Sequence, residues 1–560
     1  MGSGGVVGAV VAVVLVVTTP ALAGAVPASH AAVDRPTAAA DDRPTIAVTV
    51  DVDRTPDRPG HVRVTYEVAV PDAVEEVEMR LRASYADERR AVETSDFERT
   101  RKGDRPRYTA FSAGGETRTL AVEYSVPAEP GTLDDDAPGY DTESWTYLPD
   151  VRRAFGWVYE GSPPRLEYRV EFDGGGFTTS HAVFVGEYEE YTREAHGQRF
   201  RLVVPANVDL ASPPSAVLAT LGAASGRLRI GERDDEVYVV ALGLERDADE
   251  RGLVGQAGDR VMWVSAREPA TGLDNTWVHE YAHTRQAFVG STAGELRWFT
   301  EGSAEYLEHA VPLARGNGSV GDARRHLDAD ATGRLADPGS WESGRLPYAR
   351  GARAVAHLNA LVVEATDGEK TVLAVVRELN ARSAGTSRPL TGGDLRAAVR
   401  AATPVTPRSW YQSYVDGTDS IGVETQWAFV VSPDGDPDGD GVANAREYDA
   451  GTEPFTADTD DDGAADGAEL DRGTDPTVAE RDRTAGVELH RDSNASRGAG
   501  GGGGVGDRAD RSAATPTDAA SPTPTAAGSP APSDGSGALP RWLPLVALPV
   551  ALLLLRVRKR

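Results

Sequence analysis

The chain has 560 residues, a formal net charge of −29 at pH 7 and no cysteine. The missing cysteines exclude a disulfide framework, a thiolate metal site and a cysteine nucleophile. The acidic balance argues against nucleic acid as a partner, because phosphate contacts require Lys and Arg. We expect no nucleotide cofactor either, and the length predicts several domains.

Two interpretations of the charge stay open. Lysine occurs only at Lys102, Lys370 and Lys559, so nearly all the basic residues are arginines. Excess acid with scarce lysine is typical of proteins from salt-loving archaea, where high ionic strength screens self-repulsion. A GC-rich genome also favours arginine over lysine, but it does not by itself demand the acid excess. We favour the halophilic interpretation.

The first residues predict an export signal. An apolar run over residues 6–17 ends at the small-residue triplet Ala21-Leu22-Ala23. This run is too short to span a bilayer, but it suits the apolar core of a signal peptide. We therefore expect a signal peptide over 1–23, followed by a flexible leader over 24–43 that is rich in Ala, Pro and Asp.

Strand patterns begin at Thr45. Residues 46–52 and 61–70 alternate apolar and polar side chains, and similar runs recur as far as residue 186. These patterns predict an N-terminal, mainly antiparallel β domain over 44–198. Over 199–428 the strands give way to helical spacing, which predicts an α+β domain whose C-terminal part is helical.

The segment His279-Glu280-Tyr281-Ala282-His283 carries the clearest chemistry. Either Asp274 or Asn275 is suited to be an N-cap, so the segment is predicted to be helical. Positions i and i+4 share one face of a helix, which lets both imidazoles bind one Zn²⁺ ion. Glu280 would lie beside that ion, where it can take a proton from a water and pass it to a leaving amine.

A second predicted helix opens at residues 298–302, with Thr300 as its N-cap. Glu301 supplies the carboxylate that completes a zinc site of two histidines and one glutamate. Glu305 lies one turn further on the same face. It is either a runner-up zinc ligand or the acceptor of a hydrogen bond that fixes a histidine tautomer. The plainer alternatives are ordinary core histidines and a first-turn acid favoured by the helix dipole.

Together these segments resemble the gluzincin metallopeptidases, and most nearly the M1 aminopeptidase and M61 glycyl-aminopeptidase families. The segment 346–351, with Tyr348 and Arg350, resembles their Tyr-x-Lys-Gly segment with Arg in place of Lys. The resemblance implies a thermolysin-like zinc domain, a peptide or protein substrate and Tyr348 as an oxyanion donor. Their Gly-x-Met-x-Asn segment, which clamps a free N-terminus, is missing around 252–263. Endopeptidase and exopeptidase activity therefore both stay open.

Two twelve-residue loops, 436–447 and 458–469, fit the pattern of a calcium-binding loop. The predicted Ca²⁺ ligands of the first loop are Asp436, Asp438, Asp440, Val442, Asn444 and Glu447. Those of the second are Asp458, Asp460, Asp462, Ala464, Asp466 and Glu469. Such tandem loops resemble the calcium stalks of extracellular and archaeal surface proteins, so we expect a structural spacer over 432–482. The alternative is an acidic disordered linker.

The C-terminal residues predict attachment to a membrane. A linker over 483–538, rich in Gly, Ser, Thr, Ala and Pro, is predicted to be disordered. An apolar segment over 539–557 then precedes a basic tail at 558–560, which fits a transmembrane anchor with a cytoplasmic tail. This layout places the folded part at the extracellular face of the cell membrane. A tail removed by a sorting enzyme and a buried terminal helix are the alternatives.

The expected architecture is therefore multidomain α+β, with a β domain, a zinc domain, a calcium-loop module and an anchor. Two functions from different classes follow from it. The first is a cell-surface zinc metallopeptidase in which Glu280 is the general base. The second is a catalytically silent, calcium-binding surface or adhesion protein of the cell envelope.

Overall fold

The computed structural model describes residues 43–479, with gaps at 56, 82–89, 103–104, 112–113, 129–138, 150, 152–153, 180–181, 244–254, 259, 289–293, 328–332, 342–344 and 387. The predicted signal peptide, linker, anchor and basic tail lie outside the described residues, as does the predicted leader up to residue 42. Within the ranges given above, no helix is both long enough and apolar enough to cross a membrane.

The N-terminal domain is built from strands that bury alternate side chains. In β1 (Thr45–Arg54) and β2 (His61–Ala69) every second residue is buried, as expected for strands with one face on a core. Further strands are β3 (Val74–Arg80), β4 (Arg90–Glu93), β5 (Glu98–Lys102), β6 (Arg105–Phe111), β7 (Thr117–Ser125), β8 (Tyr140–Asp141), β9 (Trp145–Pro149), β10 (Ala154–Tyr159), β11 (Arg165–Phe172), β12 (Gly176–Thr178) and β13 (Ala182–Gly186).

These strands form sheets with the orders β11-β1-β2-β7-β4, β10-β3-β6-β5 and β12-β13-β9-β8. The predicted antiparallel pairing holds except between β1 and β11, which run parallel. A shared core of Val, Ile, Tyr and Trp side chains fills the space between the first two sheets. The N-terminal β domain expected from the alternating pattern is therefore present.

A fourth sheet carries the second domain. Its strands are β14 (Tyr188–Ala195), β15 (Gln198–Pro205), β16 (Glu236–Leu242), β17 (Gly255–Gly258) and β18 (Val261–Ser265), in the order β14-β15-β16-β18-β17. Strands β15, β16 and β18 are parallel, and β14 and β17 are antiparallel edges. Strand β14 precedes residue 198, yet it pairs with β15 and so belongs to this sheet. The sequence alone could not show this, because period-two alternation identifies a strand but does not reveal which sheet it joins.

Both faces of the fourth sheet are covered. One face packs against helices through Phe200, Val239 and Met262. The other packs against the third sheet through Val240 and Trp263. Strands in a sheet that is covered on both faces have nearly continuous apolar sequences, as β18 does. The sheet therefore lies between the third sheet and the helices that follow.

The helices of the second domain are α1 (Pro214–Arg227), α2 (Thr276–Arg285), α3 (Arg297–Leu313), α4 (Val320–Leu327), α5 (Leu346–Ala365), α6 (Val372–Ala384), α7 (Gly392–Ala402) and α8 (Arg408–Tyr414). Helix α3 begins earlier than its predicted cap. Thr300 lies inside it, and its hydroxyl donates to the Leu296 carbonyl at 3.4 Å. A short 3₁₀ turn over Gly294–Leu296 leads into the helix and replaces the predicted cap.

Helices α3 and α5 approach each other at two glycines. A Cβ atom added to Gly302 would lie 2.5 Å from the Gly351 carbonyl carbon, and one added to Gly351 would lie 2.8 Å from the Trp298 oxygen. Only glycine allows backbones to pack this closely. Because Glu301 precedes one glycine and Tyr348 lies three residues before the other, this contact brings their two helices together at the site.

The calcium-loop module rests on the second domain. Its helices are α9 (Asn444–Ala450) and α10 (Asp466–Arg472). The buried Asn359 amide donates to the carbonyls of Trp427 and Val430, at 3.0 Å and 2.9 Å, just before the first loop. The rings of Trp427 and Tyr448 then meet edge to face, with centroids 5.2 Å apart. The first loop is therefore packed on the preceding domain.

Candidate metal centres

Helix α2 holds the two histidines of the predicted zinc site. The Asn275 side chain accepts a hydrogen bond from the Val278 amide at 3.2 Å, so Asn275 rather than Asp274 is the N-cap. His279 is buried and His283 is half-buried. Their ring centroids are 4.9 Å apart. The predicted spacing therefore brings both imidazoles to one face of the helix.

Helix α3 brings Glu301 to the same point. Its Oε2 atom lies 3.3 Å from His283 Nε2 and 3.8 Å from His279 Nε2. Burial would raise the pKa of Glu301, but the imidazoles of His283 and His279 outweigh it and hold the pKa well below its usual value. The carboxylate is therefore ionised and faces both Nε2 atoms.

The opposite nitrogen of His279 is held by Glu308, which the sequence reasoning missed. His279 Nδ1 is 2.8 Å from Glu308 Oε2 and 3.7 Å from Glu305 Oε2. Glu308, not Glu305, therefore has the hydrogen-bonding position predicted for Glu305. Glu308 is seven residues after Glu301, on the same helix face, so that spacing was the available signal.

The position of Glu305 does not suit a third zinc ligand. Glu305 lies on the Nδ1 side of His279, together with Glu308. Glu301 lies on the Nε2 side, where it also meets His283. A metal bound by Glu305 would therefore leave His283 out, and Glu301 is the carboxylate that joins both histidines.

Gln286 accepts the hydrogen bond from Nδ1 of His283, as Glu308 does for His279. Its Oε1 atom is 2.8 Å from His283 Nδ1, and its Nε2 atom donates to the Thr300 carbonyl and the Ser303 hydroxyl at 3.1 Å and 2.9 Å. The amide orientation fixed by α3 makes Oε1 the acceptor, so Nδ1 of His283 carries the proton. Nε2 then keeps its lone pair for a metal. Gln286 was also missed by the sequence reasoning, although it is only three residues from His283.

Burial alone would lower the pKa of His279, but the nearby carboxylates of Glu301 and Glu308 raise it well above its usual value. Burial likewise lowers the pKa of His283, and the charge of Glu301 reverses that effect. Both pKa shifts have the same cause. The buried carboxylates around the imidazoles favour a positive charge at the point where the Nε2 atoms meet.

Glu280 lies next to this point with a free oxygen. The residue is buried, and its Oε2 atom has no hydrogen-bond partner within the described part of the chain. Burial, opposed by the two imidazoles, raises the pKa of Glu280 above its ordinary value. An unpartnered buried carboxylate oxygen beside converging metal ligands suits a group that handles a proton.

Tyr348 completes the site from the first turn of α5. Its ring stacks on the ring of His279, with centroids 6.0 Å apart and planes 22° apart. Burial and the nearby Glu301 raise the pKa of Tyr348 well above its usual value. Its hydroxyl therefore stays protonated and can donate a hydrogen bond.

Arg350 stands where the resembling families have lysine. Its side chain is directed toward the residues around the end of α8. Its Nη2 atom donates to the carbonyls of Tyr414, Gly417 and Asp419, at 3.3 Å, 3.4 Å and 3.0 Å. A guanidinium offers several donors in one plane, which suits a cluster of carbonyls. Arg350 therefore ties α5 to the end of α8 and the segment that follows it.

The donor set fits a zinc ion. Two imidazole nitrogens and one carboxylate oxygen are the ligands of many catalytic zinc sites, which leave a fourth position for water or substrate. Zinc–ligand bonds of about 2.0–2.1 Å separate tetrahedral ligands by about 3.3 Å. The distance from Glu301 to His283, 3.3 Å, matches this spacing, and the distance to His279, 3.8 Å, is somewhat longer.

The first calcium-type loop has the fold its sequence predicts. Gly441, at the sixth position, has a left-handed backbone with φ of 95°, as the sharp turn of such loops requires. The carboxylates of Asp436, Asp438 and Asp440 cluster together. Both carboxylate oxygens of Glu447 are buried without a hydrogen-bond partner within the described residues. Oxygens without partners in an acidic cluster fit a hard cation.

The second loop repeats this geometry and touches the first. Asp458, Asp460 and Asp462 cluster, and Gly463 also has φ of 95°. Asp466 differs from its counterpart Asn444. Its carboxylate accepts hydrogen bonds from the amide and hydroxyl of Thr459, at 2.8 Å and 2.7 Å. Asp466 therefore supports its own loop in the geometry observed.

Comparisons with known proteins give only distant likenesses. No protein-family model and no curated protein matches the chain. An aminopeptidase N family protein from Idiomarina loihiensis is similar in structure, with 14% identity, a TM-score of 0.49 and coverage of 68% of this chain and 77% of that one.

Two further solved structures are similar over 68% of this chain. An M1 zinc metallopeptidase from Deinococcus radiodurans has 16% identity, a TM-score of 0.45 and 95% of its own chain covered. Legionella pneumophila aminopeptidase A in complex with aspartic acid has 10% identity, a TM-score of 0.39 and 49% covered. These likenesses are too distant to assign an activity, so the proposal below rests on the geometry of the site.

Proposed function

We propose that this protein is a zinc metallopeptidase that hydrolyses peptide bonds. One observation carries the proposal. The Nε2 atoms of His279 and His283 converge on Glu301, and the unpartnered carboxylate of Glu280 lies beside them. This arrangement combines a metal site with a base that is held away from bulk water, which is what metal-assisted hydrolysis of an amide requires.

His279, His283 and Glu301 would hold the ion, whose chemistry is to polarise a carbonyl and make a water acidic. Glu280 takes the proton of the attacking water and delivers it to the leaving amine. Burial raises its pKa above the ordinary value, which makes it a stronger base for the first step. The Tyr348 hydroxyl donates a hydrogen bond to the oxygen on which negative charge develops.

The decisive experiment replaces Glu280 by glutamine. We expect Glu280→Gln to lower the rate of peptide hydrolysis by at least about 10²–10⁴-fold, because the amide cannot accept a proton. Zinc content by elemental analysis should stay at the wild-type level, since Glu280 is not a ligand. Glu378→Gln, on the half-exposed face of α6, is the matched control and should leave the rate unchanged. Hydrolysis that survives Glu280→Gln would contradict the mechanism.

The substrate is proposed to lie along β17. This strand ends the fourth sheet, and it packs against α2. An open sheet edge binds extended peptides through backbone hydrogen bonds, without demanding a particular sequence. The Gly-x-Met-x-Asn segment that clamps a free amino terminus in the resembling families is missing around 252–263. We therefore expect acetylated peptides to be cleaved, in a comparison of free and acetylated versions of one peptide library. Strict dependence on a free amino terminus would overturn this assignment.

We further propose that the loops 436–447 and 458–469 each bind Ca²⁺. The left-handed glycines and the unpartnered Glu447 support binding. Export by residues 1–23 and anchoring by residues 539–557 are proposals from sequence alone, and they would place the peptidase at the extracellular face of the cell membrane. Membrane fractionation before and after deletion of 539–557 tests the anchor.

The second candidate is a catalytically silent surface protein that binds calcium. The observation that favours it is that both calcium-type loops are well formed and do not depend on the zinc ligands. Elemental analysis of protein purified without chelators separates the two candidates. Absent zinc together with bound calcium would favour the silent protein.

A further inference from the structure

A second cluster of metal-binding side chains lies next to the first. Asp274, His309 and His326 each offer one ligand atom, and these three atoms lie within 4.8 Å of one another. None of the three residues has a role in the proposed hydrolysis. Two imidazoles and a carboxylate repeat the chemical composition of the first centre.

Three separate elements supply the cluster. Asp274 lies just before the N-cap of α2 and has a left-handed backbone, with φ of 62°. Its amide donates to His309 Nδ1 at 3.3 Å, which links the loop to α3. His326 comes from α4, and its ring stacks on that of His309 with centroids 5.4 Å apart. The tertiary fold, not a local motif, therefore creates the cluster.

One side chain of the cluster is buried, and the other two are exposed enough to change rotamer. His309 is only 1% exposed, whereas the Asp274 and His326 side chains are 63% and 41% exposed. His326 Nδ1 and Asp274 Oδ2 are 3.8 Å apart, too far for a hydrogen bond. Tetrahedral zinc ligands stand about 3.3 Å apart, so small rotations of the two exposed side chains would complete the site.

His309 Nδ1 accepts the hydrogen bond of the Asp274 amide, so its lone pair faces the cluster. A metal would take up this lone pair in place of that hydrogen bond. Imidazole nitrogens favour zinc, copper and nickel over calcium and magnesium, which prefer oxygen ligands. The donor set therefore selects a different class of ion from the one suited to the two acidic loops.

We propose that Asp274, His309 and His326 form a second site for a divalent transition metal of the zinc class. Glu308 lies between the two centres. Its Oε2 atom is 2.8 Å from His279 Nδ1, and its Oε1 atom is 3.7 Å from His309 Nε2. The second distance is too long for a hydrogen bond, so we expect the two sites to bind metal independently.

The site is tested by metal stoichiometry. The full chain is freed of metal, saturated with Ca²⁺ to fill the acidic loops and titrated with Zn²⁺ by calorimetry. The wild type should bind two equivalents, while His326→Ala and Asp274→Asn should each bind one. Asn preserves the left-handed backbone preference at position 274. His61→Ala, in β2 of the N-terminal domain, is the control and should still bind two.

A double His279→Ala, His283→Ala variant separates this proposal from the proposed function. It should retain one equivalent of Zn²⁺, and adding His326→Ala should remove it, whatever the catalytic activity is. A single equivalent in the wild type, or two in His326→Ala, would overturn the second site.

Discussion

The zinc centre and the calcium-type loops bring their predicted metal ligands together in different ways. Each calcium-type loop draws its predicted ligands from twelve consecutive residues. The zinc centre draws on α2 and α3, with Tyr348 added by α5. The close contact of Gly302 with Gly351 brings α3 and α5 together at this centre. One kind of site is local in sequence, and the other exists only when helices pack.

This difference also affects the surroundings of the ligands. In the first loop Gly439 and Gly441 amides donate to Asp436, at 2.8 Å and 3.2 Å, so the loop supports its own ligands. At the zinc centre Glu308 supports His279 from another helix, and Gln286, at the end of α2, is itself held by hydrogen bonds to α3. Ligands supported from a distance are pre-organised by the whole domain. We therefore expect the zinc centre to be sensitive to its support, and the loops to be sensitive mainly to charge.

The largest expected effect in this comparison is at Tyr348. We predict that Tyr348→Phe lowers kcat by about 10²–10³-fold, because one donor to the developing oxyanion is lost. KM and zinc content should change little, since the ring still stacks on His279. Steady-state kinetics with a chromogenic peptide measures this effect. Tyr414→Phe, in α8, is the control, and a Tyr348→Phe enzyme of wild-type kcat would remove Tyr348 from the mechanism.

A smaller effect separates Glu308 from Glu305. Glu308→Gln should weaken zinc binding by about 10–100-fold, because a neutral amide no longer strengthens the donor nitrogen of His279. Glu305→Gln should weaken it much less, since Glu305 Oε2 is 3.7 Å from His279 Nδ1. Competition with a zinc chelator gives both affinities. If Glu305→Gln proves the more damaging variant, the hydrogen-bond assignment to Glu308 is wrong.

The smallest expected effect is the pH dependence of the first calcium-type loop. Burial and the charges of Asp438 and Asp440 raise the pKa of Glu447 to about 8. Ca²⁺ must displace this proton, so its affinity should fall by roughly fivefold from pH 8 to pH 7. Without Ca²⁺ the folded loop holds more protons than the unfolded chain, so stability falls as pH rises from about 4.5 to 8.

Calorimetric titration of Ca²⁺ at the two pH values checks this prediction. Proton release on binding, seen as a dependence of the heat on the buffer, should accompany it. Glu447→Gln should abolish most of the pH dependence in that loop. An affinity that does not change between pH 7 and pH 8 would contradict the assignment of a protonated Glu447.

Much of the zinc centre was predictable because its key spacings are helical. The positions of His279 and His283 on one face follow from four-residue spacing, and Glu301 follows from its place at the start of a second amphipathic segment. The choice between Glu305 and Glu308 was not predictable. Both lie close to the Glu301 face, and the angle at which α3 crosses α2 decides which oxygen meets Nδ1.

Sequence by itself determined the features that depend on near neighbours. These are the strand alternation from Thr45 onward, the capped helix bearing His279 and His283, and the two loops with glycine at the turn. Their physics is local, since backbone preference and side-chain periodicity act over a few residues. For the same reason the acidic clusters of the loops were visible as soon as their spacing was read.

Only the tertiary structure decided the rest. It joined β14 to the second domain, set the first calcium-type loop against that domain and placed Glu308 between His279 and His309. It also gathered Asp274, His309 and His326, which no spacing rule connects. Contacts between distant segments depend on how apolar faces and small residues such as Gly302 let elements pack, and that is a property of the whole fold.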